Sequence, residues 1–435
     1  MIKMIIKQLW NQRRQNGWIL LELIIITFFL FTISNEVVRA TANYLLPDGY
    51  EKETTGIIML KEGRNFRYAR KEREIRDSIF QSNFRQLLPT IKNCPEVEAV
   101  AVIRDDSYPG AASANSNGFV SDDTASIRIL APWYQTFVKE GTTDFLKVYG
   151  LNDARTGEPL QLAKPRIANS TQGIVSAAFA RQLFGRIEVI GEKVHFGKKM
   201  PEGSGLWFEI VGVYEGYKRT DFQVPSASVF ILSKDSRGRS TSNHIIAYRL
   251  KEGADEKAFR ERIMNEIAPN LENTPTALKK IQSFEETLKW FNDMVGINNR
   301  LRYSAVMAFF VLLCVFLGMT GTFWVRCRAR RQEIGLMRSI GASQDTITRQ
   351  FLTEAWMLVT IGFLIAQPLI IHYMHEQDLN VADPTAHYWQ DSKVWLTLVT
   401  DGLIYLLMLL IALLGTWLPV KQTAKDLPAE ALRDE

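Results

Sequence analysis

Four apolar runs, each near the length of a membrane-crossing helix, constrain this chain more than any other feature. A bilayer core needs about 20 apolar residues in helical form. Residues 17–34 (GWILLELIIITFFLFTIS) supply the first run, and residues 303–325, which carry no charge, supply the second. Residues 355–373, interrupted by Pro368, form the third, and residues 394–420 form the fourth, with Asp401 in its first third. The mean hydropathy of -0.07 resembles that of a soluble protein only because a long charged segment separates the first two runs. A basic arm before an apolar core also suits a signal peptide. Here the residues that follow, NEVVRATANYL, make a poor small-x-small cleavage site, so the first run reads as an uncleaved anchor.

Lysine and arginine near the span ends set the orientation. The N-terminal arm carries Lys3, Lys7, Arg13 and Arg14 with no acid, and the loop after the second run carries Arg326, Arg328, Arg330, Arg331, Arg338 and Arg349. The tail adds Lys421, Lys425 and Arg433. The loop at 375–393 instead sets one lysine against Glu376, Asp378, Asp383 and Asp391. Both termini and the middle loop are therefore expected in the cytoplasm of a bacterial cell, with residues 35–302 outside its inner membrane. The expected fold class is a four-helix membrane protein with an inserted α+β extracytoplasmic domain and a helical stalk. Its parts are 1–34 (arm and first span), 35–302 (outside domain with stalk) and 303–435 (spans two to four, middle loop and tail).

The outside segment is too long and too mixed to be a loop. Residues 73–91 place Ile75, Ile79, Phe80, Phe84 and Leu87/Leu88 on one helical face. Strands are expected at 97–102, 126–130, 208–214, 229–232 and 245–250, and helices at 143–148, 175–184 and 255–267, arranged as βαβ units. The Ser/Asn/Gly-rich stretch 111–121 reads as a loop. Ser283 and Glu286 form a capping box, opening a helix that runs into the second span with Gly296 as its one breaker.

The middle loop holds the most distinctive motif, RRQEIGLMRSIGAS at 330–343. Ile334, Met337 and Ile340 recur at spacing three, which gives a short helix an apolar face. Gly341 can end that helix, and Ser343, with Asp345 in the next turn, can cap the following one. Such an element suits a basic helix lying on anionic lipid, or a docking helix for a cytoplasmic partner.

The stretch RRQEIGLMRSIGASQDTITRQFLTEAWML resembles the FtsX-like permease signature, roughly R-x-x-E-I-G-x-x-R-A-x-G-A followed by I-x-x-Q-F-L-x-E. Ser339 stands where the family usually has alanine. The tail LPAEALR resembles the family's terminal P-x-E-A-L-R, and DFLKVYGL, GIVSAAFARQLFG, IGEKVHFG and FEIVGVYEG resemble blocks of the MacB-type periplasmic domain. The resemblance implies an ABC transporter permease whose short middle-loop helix is a coupling helix seated in a separate cytoplasmic ATPase. Carried over, the contact residues are Glu333, Ile334, Gly335, Leu336, Met337, Arg338, Gly341 and Ala342. It also implies a homodimer or a heterodimer with a paralogous permease, a periplasmic adaptor as a further partner, and ATP and magnesium held by the ATPase, this chain having no cofactor of its own.

Other chemistries find little support. GEKVHFGKK at 191–199 has five residues between its glycines where a phosphate-binding loop needs four, and Lys199 where Ser or Thr would hold magnesium. It reads as a hairpin. His372 and His375, with Glu376 and the more distant His387, read as a membrane-interface group rather than a metal site. Glu22 and Asp401 are intramembrane carboxylates and so candidates for a proton relay, although water or a helix neighbour near a span end can satisfy each. Cys94, Cys314 and Cys327 include no CxxC pair, and Cys94 reads as a free, partly buried thiol. A net charge of +5 without a basic, aromatic-interleaved stripe gives no case for nucleic acid. The expected function is conversion of cytoplasmic ATP-driven closure into movement of the outside domain for export. The alternative is an FtsX-like regulator that activates an envelope partner. An ion-coupled transporter built on Glu22 and Asp401 is disfavoured because the sequence shows no internal repeat.

Overall fold

The computed structural model describes residues 13–62, 87–112, 115–121, 128–137, 144–163, 172–197, 207–233, 244–271, 276–380 and 393–423. In chain order, α1 (Arg13–Tyr44) precedes β1 (Thr55–Glu62), β2 (Val97–Arg104), β3 (Asn115–Ser121) and β4 (Ile129–Phe137). Then come α2 (Phe145–Tyr149), β5 (Gln172–Ser176), α3 (Ala177–Phe184), β6 (Lys193–Phe196), β7 (Trp207–Tyr214), β8 (Val229–Ser233) and β9 (His244–Leu250). Helix α4 (Glu256–Arg262) passes through a π turn (Ile263–Ile267) into α5 (Ala268–Leu271), and β10 (Thr276–Ser283) and α6 (Phe284–Met294) follow. The chain ends with α7 (Ile297–Ala329), α8 (Arg331–Ser339), α9 (Gln344–Asn380) and α10 (Lys393–Thr423). Two compact units result: Met1–Ala42 with Ile297–Glu435, and Asn43–Gly296.

In the first unit, α1, α7, α9 and α10 are each long and apolar enough to cross a membrane. They share a core that includes Leu23, Phe31, Met319, Phe323, Phe351, Leu358, Met408 and Ala412. Without water to drive helices together, spans associate through close packing of small residues. Gly415 of α10 is such a contact: a Cβ there would lie 2.9 Å from Thr320 Oγ1 and 3.2 Å from Phe316 O of α7. Leu21, Ile25 and Phe29 of α1 and Phe309, Phe310, Leu313 and Leu317 of α7 stay exposed, which is the apolar surface a bilayer would cover.

The second unit is an α+β domain around a ten-stranded sheet of order β10-β1-β9-β2-β4-β3-β6-β7-β5-β8, with β8 returning to β4. Strands β4, β3, β6, β7, β5 and β8 thus close into a ring, which removes their open edges. Alternation along the other strands feeds two cores. Ile57, Ala101 and Ala247 face Tyr149 and Phe284 on one side. Ile58, Val100, Val102 and Ile246 face Phe259 and Ile263 of α4 and the π turn on the other.

The expected βαβ arrangement gives way to a mostly antiparallel sheet in which, among the described strands, only β4–β8 and β5–β7 run parallel. Residues 115–121 are not loop but strand, paired with both β4 and β6. Residues 175–176 end β5 rather than opening a helix, and Ser176 caps α3 by accepting from Phe179 N. The helix expected at 73–91 lies outside the described residues as far as 86, and residues 87–92 are helical. Strands β1 and β10 were not expected at all. Helix α6 has the predicted Ser283/Glu286 capping box. It does not continue into the second span: α6 ends at Met294, and Gly296 (φ 67) stands between it and α7. A positive φ cannot propagate an α-helix, and glycine adopts it without penalty. Cys94 is free and buried.

Candidate functional site

The middle-loop motif folds as α8, between α7 and α9. Its C-terminal end is a Schellman motif: Gly341 N–H donates to Arg338 O (3.0 Å) and Ala342 N–H to Met337 O (2.9 Å). Gly341 has φ 100, and a Cβ there would touch nothing within 4 Å. Its backbone conformation, not crowding, is what calls for glycine. Ser343 Oγ accepts from Thr346 N–H at 3.2 Å and caps α9, as the sequence predicts.

The helix does not present the face expected from spacing alone. Ile334 and Gly335 are buried, Ile334 inside the core of the membrane unit. Met337, Arg338 and Ala342 are partly buried, and Ala342 packs against the same core. The side open to solvent carries Glu333, Leu336 and Ile340, with Leu336 55% and Ile340 78% exposed. A leucine and an isoleucine held out this far on a short polar helix form an apolar ridge, and such ridges mark contact surfaces.

Beneath α8 lies a buried charge network that sequence reasoning did not find. Glu354 of α9 is 1% exposed. Arg326, near the end of α7, donates to its Oε1 at 3.0 Å, and Arg330, just before α8, donates to its Oε2 at 3.4 Å. Arg330 also donates through Nε to Glu333 Oε2 in the first turn of α8, at 2.9 Å, and stacks 4.9 Å over the Phe351 ring. The buried part is two guanidiniums on the one carboxylate of Glu354, and Glu333, which is 61% exposed, supplies the second negative charge from the solvent side. Buried ions persist only when paired in this way, because desolvation of an unpaired one costs several kcal/mol. The network ties the first turn of α8 to both flanking helices. The signal in the sequence was the set Arg330, Glu333 and Glu354, which are the first arginine and the two acids of the quoted signature.

The remaining candidates fall elsewhere. Glu22 lies against Gly318 of α7, its Oε1 2.5 Å from where a Cβ on that glycine would be. Asp401 of α10 lies beside Gln367 of α9. The two carboxylates thus face different neighbours. His372 and His375 are exposed on α9, and no group of three or more metal-ligating side chains occurs among the described residues. His387 and the LPAEALR tail lie outside those residues. Residues 193–196 of the glycine-flanked stretch are β6, paired with β3 and β7, and 198–199 lie outside the described residues.

Two family models cover most of the chain. The FtsX-like permease C-terminal model matches residues 305–428, and the MacB-like periplasmic core domain model matches residues 27–266. This chain belongs to the FtsX/MacB family of ABC transporter permeases. The permease is accordingly a membrane protein with an extracytoplasmic domain, and its four long apolar helices agree with that. It is 24% identical over 269 residues to the ABC transporter permease YknZ of Bacillus subtilis strain 168, a match spanning 62% of this chain and 63% of that relative. Among solved structures, it is similar to the periplasmic region of MacB from Actinobacillus actinomycetemcomitans. There the identity is 12% and the TM-score 0.33, with 56% of this chain and 94% of that one covered. It is also similar to the extracellular domain of the noncanonic ABC-type transporter YknZ from Gram-positive bacteria, at 13% identity and TM-score 0.30, covering 52% of this chain and all of that one.

Proposed function

We propose that this permease couples ATP hydrolysis by a separate cytoplasmic ATPase to movement of its extracytoplasmic domain, in the service of export. Both termini and α8 lie in the cytoplasm in this reading, which rests on the Lys/Arg asymmetry of the loops. The observation that carries it is the form of α8: an exposed Leu336/Ile340 ridge on a helix whose first turn is joined through Glu333 to Arg330, which with Arg326 is held in buried ion pairs to Glu354 of α9. A helix that only rested on lipid would have no need of that fastening. A helix that must convey a push from a partner to two spans does. Four spans enclose little space, so a two-fold pair of chains with two ATPases is the working unit.

Co-expression with the ATPase tests this. The pair should co-purify, the permease alone should hydrolyse no ATP, and Leu336→Glu should abolish association while the chain still reaches the membrane. A cysteine placed at Asn115 should react with an impermeant reagent in outer-permeabilised cells, and one at Ser343 should not. Full association of the Leu336→Glu variant, or the opposite labelling, would overturn the proposal. Stimulation of ATPase activity by an exported compound would favour transport over activation of an envelope partner.

A further inference from the structure

The segment that leaves α1 and the helix that precedes α7 are held by one loop of the extracytoplasmic domain, residues 216–222. Asn43 Nδ2 donates to Phe222 O at 3.1 Å, and the Tyr44 and Phe222 rings lie 5.6 Å apart. Lys218 is fully buried. Its Nζ donates to Leu46 O at 2.5 Å and lies 3.4 Å from Tyr44 O, the last residue of α1, and 3.3 Å from Asp48 Oδ1. Its N–H donates to Asp48 O at 2.9 Å. A cation at a helix C-terminus satisfies carbonyls that the helix leaves open, and an ammonium stays buried only with such partners.

Asp221 divides its two oxygens between the two connections. Lys52 donates to Oδ1 at 2.7 Å, and Asn292 of α6 donates to Oδ2 at 2.8 Å. Partial burial works against the charge of Lys52, but the hydrogen bond and charge of Asp221 outweigh it and raise its pKa above the ordinary value. Arg219 lies 5.7 Å over the Phe291 ring of α6, and Tyr217 packs 5.3 Å from Tyr50. The loop thus grips one connection at residues 43–52 and the other at 291–292.

We infer that residues 216–222 are a clamp that joins the two membrane tethers of the domain, with Asp221 as the positioning residue shared between them. The two tethers then move as one body. In the proposed function, this is where a displacement delivered through either tether enters the domain, and to that extent the inference rests on that reading.

Amide hydrogen exchange on the full chain in lipid nanodiscs tests the clamp, without nucleotide or ATPase. Asp221→Ala should speed exchange about tenfold in both 43–53 and 284–294. Lys52→Met should loosen only the first segment and Asn292→Leu only the second. Adding Lys52→Met to Asp221→Ala should add little further in 43–53, no more than the 3.7 Å pair of Lys52 with Asp48 contributes, because the shared contact is already gone. Asp221→Asn keeps an acceptor for Asn292 and should loosen 43–53 alone, a check that holds even if the alanine variant folds poorly. Retained protection of β2 and β9 would show that the domain is folded. Loosening of one segment or neither by Asp221→Ala, or full additivity with Lys52→Met, would overturn the clamp. Because the readout needs no ATPase, failure of the coupling proposal would leave this result standing, and the reverse also holds.

Discussion

Arg326 Nη1 stands 3.0 Å from Glu354 Oε1, an ion pair with both side chains almost wholly out of solvent that joins the end of α7 to α9. Removing one partner of such a pair leaves a bare charge, at about 3–5 kcal/mol. Glu354→Ala should therefore destabilise the membrane unit by about that much and loosen α8, since Arg330 loses its anchor as well. Replacing Arg326, Arg330 and Glu354 together by apolar residues should recover much of the stability but not the proposed link between ATPase activity and domain movement. Thermal unfolding in detergent, beside ATPase assays of the reconstituted complex, measures the two effects separately.

Substitutions along α8 should sort by burial rather than by spacing. Leu336→Glu and Ile340→Glu act at exposed positions and should leave folding unchanged while weakening ATPase association by about 2 kcal/mol or more, the range of a contact hot spot. Ile334→Glu places a charge in the core and should destabilise the chain itself. Gly335→Trp should do so as well, because Gly335 is buried and overpacking costs about 1–3 kcal/mol or more. A pull-down with the ATPase beside a melting curve for each variant distinguishes the two classes.

How legible these features were depends on the range of the interaction behind them. The four spans are local in origin: an apolar run specifies its own helix, and each sequence run lies inside a long helix. The Schellman ending at Gly341 and the capping box at Ser283 are also local, set within six residues. Strand β3 was hidden because Asn115, Asn117 and Gly118 are turn-forming types, and pairing with β4 and β6 overrides that preference. Strand β10 was hidden because Lys279 and Lys280 interrupt the period-two alternation, next to a register shift at Met59/Leu60 in the β1 pairing. Strand β1 gave no alternation because Ile57 and Ile58 are buried on opposite faces. Glu354 stood in sequence just before the third apolar run, 28 positions from Arg326 and 24 from Arg330. No helical period links those positions, so only the fold brings them together. The spacing of Ile334, Met337 and Ile340 located α8 correctly but could not say which side faces inward, because that is decided by α7 and α9.

Gly415 offers a test of helix packing apart from any partner. Gly415→Val would drive side-chain atoms against Thr320 and the Phe316 carbonyl of α7. It should lower stability by about 1–3 kcal/mol, read as a fall in the unfolding midpoint of the detergent-solubilised chain. Gly402, where a Cβ would meet nothing within 4 Å, is the control: Gly402→Ala should leave that midpoint almost unchanged.

The last prediction concerns pH. Arg260 of α4 donates to both carboxylate oxygens of Glu286 on α6, at 2.9 and 2.7 Å. Glu286 also accepts from the Ser283 N–H in the capping box. The Arg260 hydrogen bond is the main reason that the Glu286 carboxyl titrates below its ordinary value of 4.5, and partial burial opposes it. A group whose pKa is depressed on folding stabilises the folded state above its unfolded pKa and loses that contribution as pH falls through the folded value. The Arg260–Glu286 contribution should therefore be complete at pH 7 and disappear in acid below 4.5. Because Glu286 is 46% exposed, solvent screening limits it to about 1 kcal/mol or less. Glu286→Gln keeps an acceptor for the Ser283 N–H but removes the charge. Its unfolding midpoint should fall by at most about 2–4 °C below that of the unaltered chain at pH 7, and the gap should close as the pH is lowered below 4.5 and the native carboxyl becomes protonated. A gap that stayed constant across that range would mean that the pair contributes through shape alone.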